Sequence, residues 1–261
     1  MLATLMRHRR LLTNLVRADL RQRYSGSSAG WLWTLLHPLA QIAIFSVVFT
    51  SVMSGRGQGF AHAQDYVLYL CIGLFPWLAF SEAVSRGSAA LLAGAAHLRQ
   101  GLVVEELLAA KVTASATISA LAALCLLLAI SPLLGLQPMW SWLLLPVPFL
   151  ALMASALGLA MICGMLAVFF KDLLQAVQIA LPLLMWSAPI IYVPEILPPW
   201  ARQALPLHPL YPSLAILHDL FLHGRPAEPG LWVAMLLWPA ALLAVAGLVT
   251  ARLRSEVRDA I

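Results

Sequence analysis

Six apolar stretches, each long enough to cross a membrane, leave this chain few folds to choose from. A helix needs about 20 apolar residues to span the hydrocarbon core, and such runs lie at about 31–53, 67–86, 112–134, 142–169, 174–193 and 230–251. Inside lipid, backbone N–H and C=O groups must be satisfied within the segment, so these runs predict helices. Composition agrees: only 10% of the 261 residues are charged, where a soluble domain carries about 25%. Mean hydropathy is +0.88. The predicted fold class is an all-α integral membrane protein with six transmembrane helices, and 1–261 reads as a single transmembrane domain.

Lys and Arg concentrate on the cytoplasmic side of a membrane protein. With both termini placed inside, 13 of the 16 basic residues fall on the inner side, leaving Arg56, Arg202 and Arg225 outside. The expected topology is therefore multi-pass with both termini cytoplasmic. The N-terminus does not read as a secretory signal, because LLTNLVRADLRQR returns to charge within a few residues of RHRR and no small-residue cleavage site follows.

Just before the first span, LLTNLVRADLRQRY places Leu12, Val16, Leu20 and Tyr24 four residues apart, with Leu11 and Leu15 beside them. Arg17, Arg21, Gln22 and Arg23 lie on other faces, the pattern of an amphipathic helix over 11–24 lying on the inner membrane surface. Ser25 to Gly30 then supply a bend, Trp31 and Trp33 set the depth at which the first span begins, and Pro38 interrupts that span early. At the other side, 187–229 holds nine of the 17 prolines. No continuous spanning helix tolerates that density, yet LYPSLAILHDLFL is apolar. Short outer re-entrant helices over about 194–224 are the expected solution, since irregular backbone is tolerated where protein or water satisfies it.

The chemistry of an enzyme is not legible. Glu82 is the one acid placed within a span; it is either a functional group or the partner of Arg86, one turn on. His208, His218 and His223 lack a compact ligand spacing, and Cys71, Cys125 and Cys163 sit in apolar runs without C-x-x-C, so no metal site is expected. Neither Lys111 nor Lys171 stands in a G-x-x-x-x-G-K-[ST] frame, so any ATP that drives this chain binds elsewhere. Phe75, Trp77 and Phe80 lie deep along the second span, and Trp186 and Tyr192 near the outer end of the fifth. Such rings serve as core, as belt anchors, or as stacking surfaces for sugars.

Taken in order, a set of motifs resembles the permease subunits of bacterial ABC exporters for surface polysaccharides and polyol phosphates, including O-antigen, capsule and teichoic acid exporters. The residues are Leu20, Arg21, Arg23, Tyr24, Ser27, Gly30, Trp33 and Pro38; Gly73 to Trp77 followed by Phe80, Ser81 and Glu82; Lys171 with Asp172; Pro189 to Tyr192; and His208 with Pro209. Two positions depart from the family pattern. Val103, Val104, Glu105 and Glu106 stand where F-P-R-E is usual, and His208 replaces Asn.

The resemblance implies a homodimer in the bacterial inner membrane, served by two copies of a P-loop ATPase that hold the ATP and Mg. It carries no cofactor of its own and no nucleic-acid partner. It implies a lipid-linked polysaccharide, O-antigen or capsule, passing between the subunits. Arg17, Arg21, Arg23, Glu105, Glu106, Lys171 and Asp172 would couple to the ATPase; Phe75, Trp77, Phe80, Trp186 and Tyr192 would line the channel; Gly30, Pro38 and Pro189 would form gate or bend. An ABC permease for lipids or small hydrophobic molecules, and a proton-coupled transporter, are the alternative functions.

Overall fold

The computed structural model describes residues 2–23, 27, 30–52, 60, 62–100 and 102–260, and for 2, 3 and 50–52 the backbone alone. Tyr24, most of the predicted bend at 25–30 and Arg56 therefore lie outside the described residues. Every regular element described is helical.

The order is α1 (Leu2–Arg7), α2 (Arg9–Arg23), α3 (Trp33–Val52), α4 (Ala63–Ala93), α5 (Ala95–Arg99), α6 (Glu105–Ile130), α7 (Pro146–Ala167), α8 (Leu173–Ser187), α9 (Pro199–Ala204), α10 (Tyr211–His218) and α11 (Pro229–Ala260). Short 3-10 turns join several of them. Five helical stretches are long and apolar enough to cross a membrane, and α8 is a shorter apolar helix of 15 residues.

Local chemistry explains where these bounds differ from the apolar runs. The helix α4 runs 31 residues, about 46 Å at 1.5 Å per residue, because RGSAALLA past the apolar run holds no proline, and its one glycine, Gly87, is packed against α7. Likewise α6 starts seven residues before its apolar run, with Glu105 and Glu106 in its first turn, where the helix dipole favours negative charge. The fifth run ends early. Ala188 precedes Pro189 and takes φ −92°, ψ 141°, as a residue before proline is pushed out of the helical region.

The core is built around α4. About 78% of its apolar stretch is buried, against 11% for the first span, so α4 is the central post and α3 lies at the periphery. Where α4 crosses α7, a methyl group built on Gly87 would sit 2.8 Å from the Ala160 Cβ. Small residues at such a crossing let two backbones approach and gain packing that lipid cannot supply. Phe149, Leu68, Ile72, Leu127 and Leu152 fill the space between α4, α6 and α7, each almost wholly buried.

A second apolar cluster lies at the end that carries most of the basic residues. Leu98, Val103, Leu107, Leu108 and Val112 pack there with Met165 and Val257, and Leu11, Leu12 and Leu15 of α2 lean on them. The apolar face predicted for 11–24 is thus turned partly onto protein, with Val16 buried and Arg17 and Arg21 exposed on the other side.

Candidate functional site

Two ends of the bundle gather polar chemistry. At the basic end, α2 presents Asp19 and Arg23 four residues apart, and α4 presents Glu82 and Arg86 with the same spacing. The two pairs interlock. Arg86 donates from Nη1 to Glu82 at 2.7 Å and from Nη2 to Asp19 at 2.9 Å, while Arg23 Nη2 lies 2.5 Å from Glu82 Oε1. Glu82 therefore does pair with Arg86, and also with a helix 59 residues earlier in sequence. This square fixes α2 across the post, which is how an arginine of the amphipathic helix becomes part of the bundle.

A second charged knot lies where α6 begins. Glu105 and Glu106 are 1% and 2% exposed. Arg258 donates from Nε to Glu105 at 2.7 Å, and Arg254 reaches Glu106 through Nη2. Both arginines belong to the last turns of α11, and Val257 between them is fully buried in the cluster formed by the 98–108 segment. A buried carboxylate without a cation is costly, so these contacts tie α11 to the first turn of α6. Sequence reasoning picked out both glutamates and missed their partners. The available signal was the four-residue spacing of Arg254 and Arg258, matched to two adjacent acids at a helix start.

Lys171 and Asp172 stand exposed in the turn between α7 and α8, apart from both knots. Gly30 takes a φ of 51°, a left-handed value that suits glycine at a turn into the first span. Pro38 is buried within α3. Beside it a groove of about 550 Å³ runs between α3, α4 and α6, with Arg23, His37 and Gln41 at its polar part and Phe75 and Leu78 along its apolar part. Trp77 and Phe80 are buried and stack with ring centroids 5.8 Å apart, inside the helix packing. Trp186 is exposed, and Tyr192 donates its hydroxyl to the Trp186 carbonyl at 3.0 Å, closing the end of α8.

At the proline-rich end, neutral groups make the joins between segments distant in sequence. Tyr66 donates to the Ile191 carbonyl at 2.6 Å, and Tyr69 to the carbonyls of Pro189 and Tyr192 at 3.1 and 2.9 Å. Prolines free carbonyls that no helix uses, and α4 supplies the donors. His218 is buried, its Nε2 3.0 Å from the Tyr69 carbonyl, so that nitrogen carries the proton. The ring fits because position 73 is glycine: a Cβ there would come within 3.1 Å of Nε2.

His208 resolves one departure from the family pattern. Its Nδ1 accepts the Leu210 N–H at 3.2 Å, which leaves the proton on Nε2, 3.0 Å from the Ser187 hydroxyl. An asparagine accepts the same i+2 backbone N–H in an Asx turn, so the imidazole reproduces the local bond. Behind these turns lies a cavity of about 800 Å³ bordered by Tyr69, Glu195, Tyr211, Asp219, Arg225 and Glu228. Asp219 there pairs with His223 at 3.3 Å and Arg225 at 3.5 Å. Among the described residues no cluster of three or more His, Cys, Asp or Glu side chains could hold a metal ion.

Residues 10–222 match the family described as ABC-2 type transporter. The chain belongs to that family. This ABC-2 chain is 27% identical over 245 residues to the O-antigen export system permease protein RfbA of Myxococcus xanthus, covering 91% of this chain and 92% of that protein. Two Klebsiella pneumoniae proteins of the same name are 25% identical over 215 residues and 23% over 239, covering 82% and 91% of this chain and 81% and 89% of their own lengths. ABC-2 membership makes the chain a transport component, and its apolar helices make it a multi-pass membrane protein.

Proposed function

We propose that this chain is the membrane-spanning subunit of an ATP-driven exporter that carries a lipid-linked surface polysaccharide of the O-antigen class across the bacterial inner membrane. The similarity to three proteins named as O-antigen export permeases carries this proposal, because it extends over four-fifths or more of the chain rather than one motif. The permease works as a homodimer with two P-loop ATPase subunits, which hold the ATP and Mg. Both termini face the cytoplasm, so the basic end meets the ATPase and the proline-rich end faces outward.

On this basis Arg17 and Arg21, exposed on α2, together with Lys171 and Asp172, are the contact side chains. Arg23, Glu105 and Glu106 are positioning residues, because each is engaged by another side chain of the chain itself. Phe75 and Trp186 face the glycan path; Trp77, Phe80 and Tyr192 shape it from behind. Gly30, Pro38 and Pro189 set the bends that the first and fifth helices need.

Deletion of the gene in its native strain tests the proposal. Lipid-linked glycan accumulates on the cytoplasmic face and disappears from the cell surface, and the wild-type chain restores it. Normal surface glycan in the deletion strain would overturn it. In the complemented strain, Arg23→Ala lowers export while the chain still inserts, because Arg23 joins α2 to α4.

A further inference from the structure

The cavity at the proline-rich end has the size of a ligand site, about 800 Å³, within the range of roughly 300–1,000 Å³ typical of such sites. One wall is the π-helical turn Asp219–His223, stopped by Gly224 at φ 65°. The π-helical turn is a rare geometry that recurs at functional sites. Other walls come from the outer part of α4 through Tyr69, from the start of α10 through Tyr211, and from the segment leading into α11 through Glu228.

Tyr69 and His218 are spent on the fold, but other polar groups on these walls are not. Asp219 is paired, but the carboxylates of Glu195 and Glu228 and the hydroxyl of Tyr211 make no hydrogen bond or ion pair among the described residues. The mouth is reachable, since Glu195, Arg225 and Glu228 are all exposed. Acceptors, a hydroxyl and aromatic faces around one space are what a hydroxyl-rich ring needs: carboxylates accept from sugar hydroxyls, and a tyrosine face covers the C–H side.

The charge of the site narrows the ligand further. Three carboxylates line the cavity with one guanidinium, Arg225, and the imidazole of His223, both of which lie against Asp219. Arg202 lies nearby with its Nη2 turned onto the Glu195 carbonyl at 2.7 Å, and with it counted and the His223 imidazole neutral the carboxylates outnumber the guanidiniums. The Tyr211 hydroxyl registers that field. Burial pushes its pKa up, and Glu195, Asp219 and Glu228 push it further than Arg202 draws it back. Phosphate or carboxylate on a glycan would meet like charge in a partly desolvated space.

We infer that this cavity is an outward-facing subsite for uncharged, hydroxyl-rich segments of the exported glycan, and that it disfavours polyanionic polymers. The inference rests on the export function proposed above and deepens it from a lipid-linked polysaccharide to a neutral one.

The test uses the full chain in nanodiscs with two probes, a neutral oligohexose and the same oligohexose carrying phosphodiesters, read by saturation-transfer NMR and titration calorimetry. The neutral probe binds, and Tyr211→Ala weakens it by about tenfold. Tyr211→Phe, which keeps the ring, retains most of the binding. The phosphorylated probe fails on the wild-type chain and gains binding in the Glu195→Gln, Glu228→Gln double variant. Equal binding of both probes to the wild-type chain, no binding of the neutral probe, or no effect of Tyr211→Ala would overturn the subsite. Glycan export in complemented cells separates the two levels. Intact export with a silent cavity sinks the subsite alone, while absent export in wild-type cells sinks the function.

Discussion

The two ends of this bundle are fastened by different chemistry. At the basic end, helices distant in sequence are joined by guanidinium and carboxylate groups: α2 to α4 through Asp19, Arg23, Glu82 and Arg86, and α6 to α11 through Glu105, Glu106, Arg254 and Arg258. At the proline-rich end, tyrosine hydroxyls and a histidine are bound to backbone carbonyls. A charged tie needs the right partner and responds to its ionic surroundings. A hydroxyl on a carbonyl needs only geometry. The basic end, proposed above to meet the ATPase, is thus the one whose joints an approaching charge can loosen, and the helices at the other end are joined by bonds that charge leaves alone.

Three substitutions break or sharpen that contrast. The largest effect is expected from Arg254→Met, which leaves the Glu106 carboxylate buried beside one fewer cation. Removing one partner of a buried pair costs about 3 kcal/mol, read as a fall in thermal unfolding temperature of the detergent-solubilised chain. Adding Glu106→Gln to that variant recovers part of the loss, and no recovery would show that packing rather than charge is responsible. Next, Tyr69→Phe strips the donor from the carbonyls of Pro189 and Tyr192. Its cost is about 1.5 kcal/mol, the same at low and high salt; a strong salt dependence would erase the contrast between the ends. Smallest is Arg86→Gln, since Arg86 is 39% exposed and Arg23 remains beside both of its carboxylate partners, 3.5 Å from Asp19 and 2.5 Å from Glu82. Its cost stays below about 1 kcal/mol and shrinks as ionic strength is raised past about 0.1 M.

Much of the architecture was legible because lipid removes choices. Each long apolar run became a helix near its predicted position, and the density of prolines over 187–229 correctly excluded a continuous helix there. What failed was termination. Nothing in hydropathy says that α4 continues to Ala93 or that the fifth helix stops at Ser187, since one depends on the absence of a breaker and the other on a single X-Pro step. The sites were legible in part. The i, i+4 pairing of Glu82 with Arg86 is local, and the sequence offered it directly. The union of Glu105 with Arg258 spans 153 residues and depends on how α6 and α11 converge, which composition does not encode. Phe75, Trp77 and Phe80 are buried aromatics of one span, yet Phe75 borders the groove while Trp77, two residues on, turns to another face, which Phe80, three further along, shares with it.

The last helix joins the two ends in a mechanical sense. Its 32 residues begin at the lip of the large cavity, where Leu231 and Glu228 stand, and finish at the arginines that grip the start of α6. That is about 48 Å of helix, interrupted only by Pro239, whose missing N–H leaves the carbonyl of Met235 without its usual donor. Two stiff struts meeting at one compliant joint carry thrust along their length but give way to bending. A pull on the strut at the basic end would then arrive at the cavity as a change of height more readily than as a change of tilt.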